Sequence, residues 1–566
     1  MRYLALLALA TGSTVAAQAP LPTSGGVLPT EQAAYDVTYY DLDLRIEPAD
    51  STIQGTLTVE ARIVLPTEVV LFDLDDALTV ESVEEVAEVR AAGSTEWQEM
   101  TLARRFVREP GTVRVHLGST AQPNQLLRLR FTYGGRPRIA PRPPWDGGLT
   151  WARTEDGQPW VAVSCQIQGA DLWWPTKDHP SDEADSVRIA LTVPDDLRAI
   201  SNGRYEGRTE NGDGTATERW FVTTPINNYG VSFGVAPYEV IEREYASPMG
   251  YTDTVQLYVL PENRADGERQ LAGFLDAMAF LERTFGPYGW REDGYKVLHT
   301  PYLGMEHQSL VAYGSDWQDN AYGFDWLHFH ELAHEWWANL ATAPDWNDFW
   351  VHESFASYAE ALYAEDIARR AGEDAEAAYL AYMANKRTGH RNVIPVAPDA
   401  PRGTQEMYQL ADGRSNGDIY VKGAWALHSI RFLMDDDPAF FAALRSITYP
   451  DPALESITDG RQARFVGYAD VVRAFSRAAR RDLSAYFESY LRVPSVPVLS
   501  RQPDGHLQWV LPEGGDASAF EMPVEVKIGT ETLRIEMPEG RSARPIPPDA
   551  TLDPQGRLLF ESPASS

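Results

Sequence analysis

Two histidines four residues apart, His330 and His334, with Glu331 beside the first, are the residues of this sequence best spaced for chemistry. On a helix, positions four apart share a face, so both imidazoles can reach one ion. Glu331 is then placed to touch a water on that ion. A catalytic zinc takes three protein ligands and keeps one position open for water, so a third ligand must come from elsewhere. The polar turn Asp345 to Asp348 is followed by a segment, Trp350 to Tyr358, that opens a second helix. Glu353 lies 19 positions after His334 (353 − 334), and a helix, a turn and an antiparallel return would bring its carboxylate to the metal. His328 is two positions from His330, points away from that face and is read as a packing or surface histidine. Glu335 is either a polar helix residue or a partner of a ligand. The single cysteine, Cys165, excludes a multi-cysteine metal site and any intramolecular disulfide.

Three further segments stand out. Leu303-Gly304-Met305-Glu306-His307 lies 24 positions before the first histidine (330 − 306), on an apparent strand. Ser164 to Gln168 (Ser-Cys-Gln-Ile-Gln) precedes Trp174 to Pro180 (Trp-Pro-Thr-Lys-Asp-His-Pro). Tyr420, in Ile-Tyr-Val-Lys-Gly-Ala, comes 67 positions after Glu353 (420 − 353). Together with the two His and one Glu, these segments resemble the gluzincins of the aminopeptidase N type, the family that includes leukotriene hydrolase. That family has a Gly-x-Met-Glu-Asn signature, a Phe-Pro-Cys-x-Asp-x-Pro segment and a Tyr-x-Lys-Gly segment. The resemblance covers nearly all of the chain after its first residues. It is to a bacterial secreted short form, without the long C-terminal helical domain of larger relatives.

The resemblance implies a zinc aminopeptidase that removes single residues from the free N-terminus of peptides. One zinc per chain would be held by His330, His334 and Glu353. Glu331 would be the general base, and Tyr420 would donate to the oxyanion. Glu306 and Gln166 would bind the substrate's α-ammonium, while Gly304 and Met305 present backbone groups along the peptide. Gln168 competes with Gln166, because a period of two puts it on the same strand face. His307 departs from the family's Asn, which bears on pocket shape and pH response. Metal and base alone make a hydrolase, and selecting the first bond needs acceptors for an ammonium. A thermolysin-like zinc endopeptidase shares the metal logic but has no amine to bind. A non-catalytic peptide-binding relative would lack a ligand, the base or the tyrosine, and none is missing.

The elements that must position these residues follow from the sequence pattern. Asp41 to Ile46, Gly55 to Ile63 and Val187 to Val193 alternate apolar and polar residues. Apolar residues recur at helical spacing in Arg269 to Phe285, Asp325 to Ala341 and Ser354 to Ala371. Past Pro494, Pro497 and Pro503, short strands return. The expected fold is multidomain α+β. An N-terminal antiparallel β domain (20–240) precedes a mostly α, thermolysin-like catalytic domain (241–492) and a small C-terminal β-sandwich (493–566). Residues 1–19 read as a signal peptide, with Arg2, an apolar run from Tyr3 to Ala10 and small residues to Ala17. Export to the periplasm or outside the cell is therefore expected. No later run is apolar enough to span a bilayer. A net charge of −33 argues against nucleic acid as a partner, and a monomer is expected. The same surface is lysine-poor, with lysines only at 177, 296, 386, 422 and 527.

Overall fold

A computed structural model describes residues 24–89 and 98–562. The expected signal peptide, 1–19, lies outside the described residues. The alternating segments form sheets. The largest has eight strands, in the spatial order Arg204–Glu210, Thr215–Val222, Ser186–Pro194, Tyr35–Glu47, Thr52–Ile63, Leu126–Gly135, Leu78–Val89 and Gln98–Ala103. Along Tyr35–Glu47 the period of two buries Tyr40, Leu42, Leu44 and Ile46 and turns Asp41, Asp43 and Arg45 outward. One pairing departs from the expected antiparallel pattern: Tyr39–Arg45 runs parallel to Ser186–Thr192. The two strands are distant in sequence, so a long crossover joins them where a hairpin could not.

A four-stranded sheet, Arg198–Ser201, Phe233–Ala236, Pro159–Ser164 and Gly148–Arg153, leads toward the helical block. Beyond it comes a five-stranded sheet ordered Glu239–Ala246, Thr252–Val259, Tyr295–His299, Leu310–Tyr313 and Gly304–Met305. Its edge strand, Gly304–Met305, pairs antiparallel with Leu310–Tyr313. The helices that follow include Trp326–Ala333, Trp350–Ala371, Ala375–Arg387 and Asp418–Met434. One apolar core fills the space between the N-terminal sheets. A second is continuous from the helices, through Phe355 and Leu427, into the C-terminal strands at Trp509 and Val526. Those strands form a pair, Val498–Arg501 with Leu507–Val510, and a trio, Glu531–Ile535, Val524–Ile528 and Thr551–Leu552.

The run expected as one helix from Asp325 to Ala341 is interrupted. Regular α-helix ends at Ala333, and Trp337 and Ala338 leave helical geometry (φ −113°, ψ 62° and φ 166°, ψ −53°). Both adjacent tryptophans are fully buried, but in separate places. The Trp336 indole donates to Gly286 O (2.9 Å), while Trp337 stacks on Phe355 (4.3 Å between centroids). Periodicity registers both as apolar and cannot tell that they need different directions.

The lysines are mostly interior. Lys177 bonds Tyr35 O (2.7 Å) and pairs with Asp182. Lys296 donates to Gly203 O and Asp293 O, and Lys422 to Val493 O (2.9 Å) and Ser495 O (2.8 Å). Burial pushes Lys296 and Lys422 down to about 8. Ammonium groups removed from water need such acceptors. Lys386 pairs with Glu360 (2.8 Å), and only Lys527 is exposed.

Candidate metal centre and the pocket around it

The helix Trp326–Ala333 begins at Asp325, whose carboxylate caps it by accepting from His328 N (3.0 Å). The same carboxylate accepts from the Tyr313 phenol (2.5 Å), which ties the helix start to the strand Leu310–Tyr313. His330 and His334 then share a face, with their Nε2 atoms 3.3 Å apart. Glu353, in the first turn of Trp350–Ala371, places Oε2 3.4 Å from His330 Nε2 and 3.5 Å from His334 Nε2. A tetrahedral ion with bonds of about 2.0–2.2 Å separates its ligand atoms by about 3.3–3.6 Å, so the three donors fit one zinc-sized cation. Glu353 Oε2 is buried with no hydrogen-bond partner. A buried carboxylate oxygen is seldom left so, and a cation is the group it lacks.

The outward nitrogens are fixed as well. His330 Nδ1 lies 2.8 Å from Glu360 Oε1, and His334 Nδ1 lies 2.9 Å from Trp337 O. Each Nδ1–H donates outward, so each Nε2 keeps its lone pair for the centre. The helix interruption is what turns the Trp337 carbonyl back toward His334. Glu360 also accepts from the Tyr382 phenol (2.5 Å) and pairs with Lys386. Burial acts to raise Glu360, but Lys386 and His330 overcome it and hold the carboxyl at about 2. Burial likewise acts against charge on His330, and Glu353 and Glu360 outweigh it, lifting the imidazole to about 10. Glu353 is held well below the carboxylate range by both histidines, against burial. A ring that holds positive charge this firmly suits a cation, which would displace the protons.

Glu331 lines the same pocket, and burial pushes its carboxyl up to about 8, with His330 opposing and Glu306 adding to the rise. Gly304 makes room for it: a Cβ there would lie 2.5 Å from Glu331 Oε1 and 2.7 Å from Leu327 Cδ1. Glu306 accepts on Oε1 from Gln166 Nε2 and from the Tyr229 phenol (3.2 Å). Glu306, Glu331 and His334 offer a second trio of ligand atoms within 4.8 Å of one another. His334 has one free nitrogen, and the trio with Glu353 holds the unpartnered oxygen. Glu306 is therefore left as a carboxylate beside the metal centre. Burial raises its pKa, with His334 opposing.

Gln166 stands in a turn just past the strand Pro159–Ser164, not on the strand face that the sequence suggested. Gly169 N to Cys165 O (2.7 Å) closes the turn, and Ala170 N to Asp178 Oδ1 (3.1 Å) anchors it to the Trp174–Pro180 segment. Gln168 faces elsewhere and accepts from Gly147 N (2.6 Å). Cys165 is buried, its thiol 3.7 Å from Tyr229 O. Met305 and Gly304 line the pocket from the edge strand. Tyr420 lies beside His330, ring centroids 6.2 Å apart, and burial and the Glu353 charge keep its phenol protonated. Its helix, Asp418–Met434, approaches Trp350–Ala371 closely at Gly423, where a Cβ would fall 1.9 Å from Ser354 Oγ. Ser354 Oγ in turn donates to Ile419 O (2.5 Å).

Three other residues named from sequence sit apart from the donors. His328 stacks on Phe274 (3.6 Å, 4°) and bonds Tyr295 OH (2.7 Å) as a core histidine. Glu335 touches neither ligand ring and accepts from Ser309 N (2.8 Å) and Asn339 Nδ2 (3.3 Å). Asn339 also donates to Glu306 O (3.1 Å), so Glu335 steadies the loop after Glu306. His307 is buried, and burial pushes it down to about 3, so it stays neutral near neutral pH. Glu360, Lys386, Tyr382 and Tyr229 were not legible in advance. The one available signal was Glu360 at seven positions after Glu353, two helical turns along the same face. The pocket has a volume of about 280 Å³, and two partly exposed tryptophans, Trp145 and Trp326, stand in its wall.

Known proteins resemble this chain in two matched regions. Residues 37–229 match the Peptidase M1 N-terminal domain, and residues 318–450 match the Peptidase family M1 domain. Human (Homo sapiens) aminopeptidase N is 29% identical over 233 residues, 36% of this chain and 22% of that protein. Bovine (Bos taurus) aminopeptidase N is 27% identical over 341 residues, 55% of this chain and 33% of that protein. The aligned regions thus span a third or less of these relatives. The crystal structure of an M1 zinc metallopeptidase from Deinococcus radiodurans shares the fold, with a TM-score of 0.61 at 23% identity. That match covers 82% of this chain and 95% of the other.

Proposed function

Because the chain belongs to peptidase family M1, we propose that it is a zinc aminopeptidase acting on peptides with a free N-terminus. The observation that carries this reading is a buried carboxylate, Glu306, set beside the His330–His334–Glu353 donors in one pocket. The α-nitrogen and carbonyl carbon of a first residue are only two bonds apart. An ammonium held at Glu306 therefore leaves the first peptide bond at the metal centre and later bonds out of reach.

His330, His334 and Glu353 would hold one zinc ion, which supplies Lewis acidity and makes a bound water more acidic. Glu331 would hold the proton given up by an attacking water and pass it to the leaving amine. Tyr420 donates to the carbonyl oxygen as charge develops there. Both bonds from Gln166 and Tyr229 fall on Glu306 Oε1, so Oε2 carries neither and meets the ammonium. The Gln166 amide oxygen adds a neutral acceptor. Gly304 and Met305, on the edge strand, offer backbone groups to the peptide.

The test is direct. Purified protein should contain one zinc per chain and cleave an aminoacyl amide with a free amine, but not its N-acetyl form. Equal cleavage of both would replace this reading with an endopeptidase. Glu360→Ala should lower zinc affinity by about 10–100-fold, the scale for partners behind a ligand histidine. Competition with a chelator measures this, and unchanged affinity would separate Glu360 from the metal centre.

The same proposal includes export, with residues 1–19 as the leader, a monomeric protein, and division at 20–240, 241–492 and 493–566. Among the described residues, no helix is long and apolar enough to cross a membrane.

A further inference from the structure

Residues Ser24 to Gly26 are far in sequence from most of the pocket lining, yet they bond to Ile167, which lines it, and to Thr404, which starts a helix that reaches it. Ser24 N donates to Thr404 Oγ1 (3.1 Å) and to Ile167 O (3.4 Å), and Thr404 N donates back to Ser24 O (3.0 Å). Thr404 Oγ1 itself donates to Ile167 O (2.5 Å), and the Trp346 indole donates to Ser24 Oγ (3.2 Å). Gly25 N donates to Asp178 O (3.2 Å), and Gly25 pairs antiparallel with Gly403. His179 Nε2 closes on Gly26 O (3.0 Å). Ser24 and Thr404 are both buried.

Three of these contacts, at Ile167, Trp346 and Thr404, lead toward the ammonium site. Ile167 follows Gln166 in the turn and lines the pocket. Trp346 lies against Tyr229 (5.6 Å between centroids), and Tyr229 bonds Glu306. Thr404 starts the short helix Thr404–Tyr408, whose last residue, Tyr408, also lines the pocket. Gly25 is fitted to this place. Its φ of +71° is left-handed, and a Cβ would stand 2.3 Å from Trp346 Cδ1.

We propose that Ser24–Gly26 is a positioning strap that pins the Gln166 turn and Tyr229 against the Thr404–Tyr408 helix and so sets the geometry of ammonium binding. This rests on the aminopeptidase reading for its kinetic consequence, but not for its structural one. Without the strap the Gln166 turn keeps Thr404 Oγ1 on Ile167 O, Gln168 on Gly147 N and the Trp174–Pro180 anchor, but loses the Ser24 N bond to Ile167 O and the fit of Gly25 against Trp346. Gln166 and Tyr229 then meet Glu306 less often in the binding geometry. The strap touches neither the metal donors nor Glu331, so the loss falls on substrate binding.

The experiment uses the full chain with Thr404→Val, Thr404→Ser and Gly25→Val. Hydrogen exchange of the 165–170 segment is followed alongside kcat and KM for an aminoacyl amide. Thr404→Val and Gly25→Val are expected to speed exchange there about tenfold, the factor carried by one lost buried hydrogen bond. They should also raise KM about tenfold, with a smaller change in kcat. Thr404→Ser keeps the hydroxyl and should restore both. Unchanged exchange in the segment for both damaging variants overturns the strap, whatever the activity. Faster exchange with unchanged KM also overturns it, because the strap would then be only structural. If the wild type cleaves no aminoacyl amide, the functional reading fails, and a tenfold exchange change would still support the strap.

Discussion

Glu331→Gln is expected to lower kcat by about 10²–10⁴-fold, the range for a positioned general base, while the protein keeps one zinc per chain. The amide has the shape of the carboxylate but cannot take a proton from water. Glu331 lines the pocket next to His330 without being one of the three proposed ligands, so the substitution leaves His330, His334 and Glu353 intact. The fit under Gly304 is also preserved, because the side-chain volume hardly changes. Single-turnover rates with zinc content measured on the same sample decide the matter. A variant with full zinc and near-normal kcat would remove Glu331 from the chemistry. One that loses zinc would show that Glu331 supports the ion instead.

Glu306→Ala is expected to lower kcat/KM by about 10²-fold for substrates with a free ammonium. A charge-assisted hydrogen bond is worth about 1.5–3 kcal/mol, and each 1.4 kcal/mol is a factor of ten. Misplacement of the scissile bond adds to that loss. Gln166→Ala removes a neutral acceptor and should cost less, about 2–10-fold. N-acetylated substrates, poor with the wild type, should not become much worse with Glu306→Ala. Measuring kcat/KM for matched free and acetylated amides with all three proteins gives the answer. An equal loss on both substrates would mean that Glu306 shapes the pocket without holding the amine.

What the sequence made legible was set by short-range regularity. The four-residue spacing of His330 and His334 and the helix–turn–helix return to Glu353 both follow from local geometry, and the structure brings these three together. Glu306 and Tyr420 were expected only through resemblance, and they line the same pocket. The choice between Gln166 and Gln168 turned on an assumed strand that in fact ends at Ser164. Tyr229 and Lys386 were invisible because each acts across a long sequence gap, on Glu306 and Glu360 respectively. The helix break after Ala333 was hidden for another reason. Apolar periodicity counts Trp336 and Trp337 as core without giving the direction in which each is buried.

The distribution of lysines has a practical side. Four of the five are committed to carbonyls or carboxylates inside the fold, and Lys527 alone stands open among the described residues. An amine-reactive ester applied to the folded protein should therefore mark Lys527 and the terminal amine and little else. Lys527 belongs to the C-terminal strand Val524–Ile528, outside the set of residues that line the pocket. A dye or a solid support attached through Lys527 would join the molecule at one residue outside that lining, with the terminal amine as the one competing point. Peptide mapping after labelling would show whether a surface this poor in primary amines gives such uniform attachment.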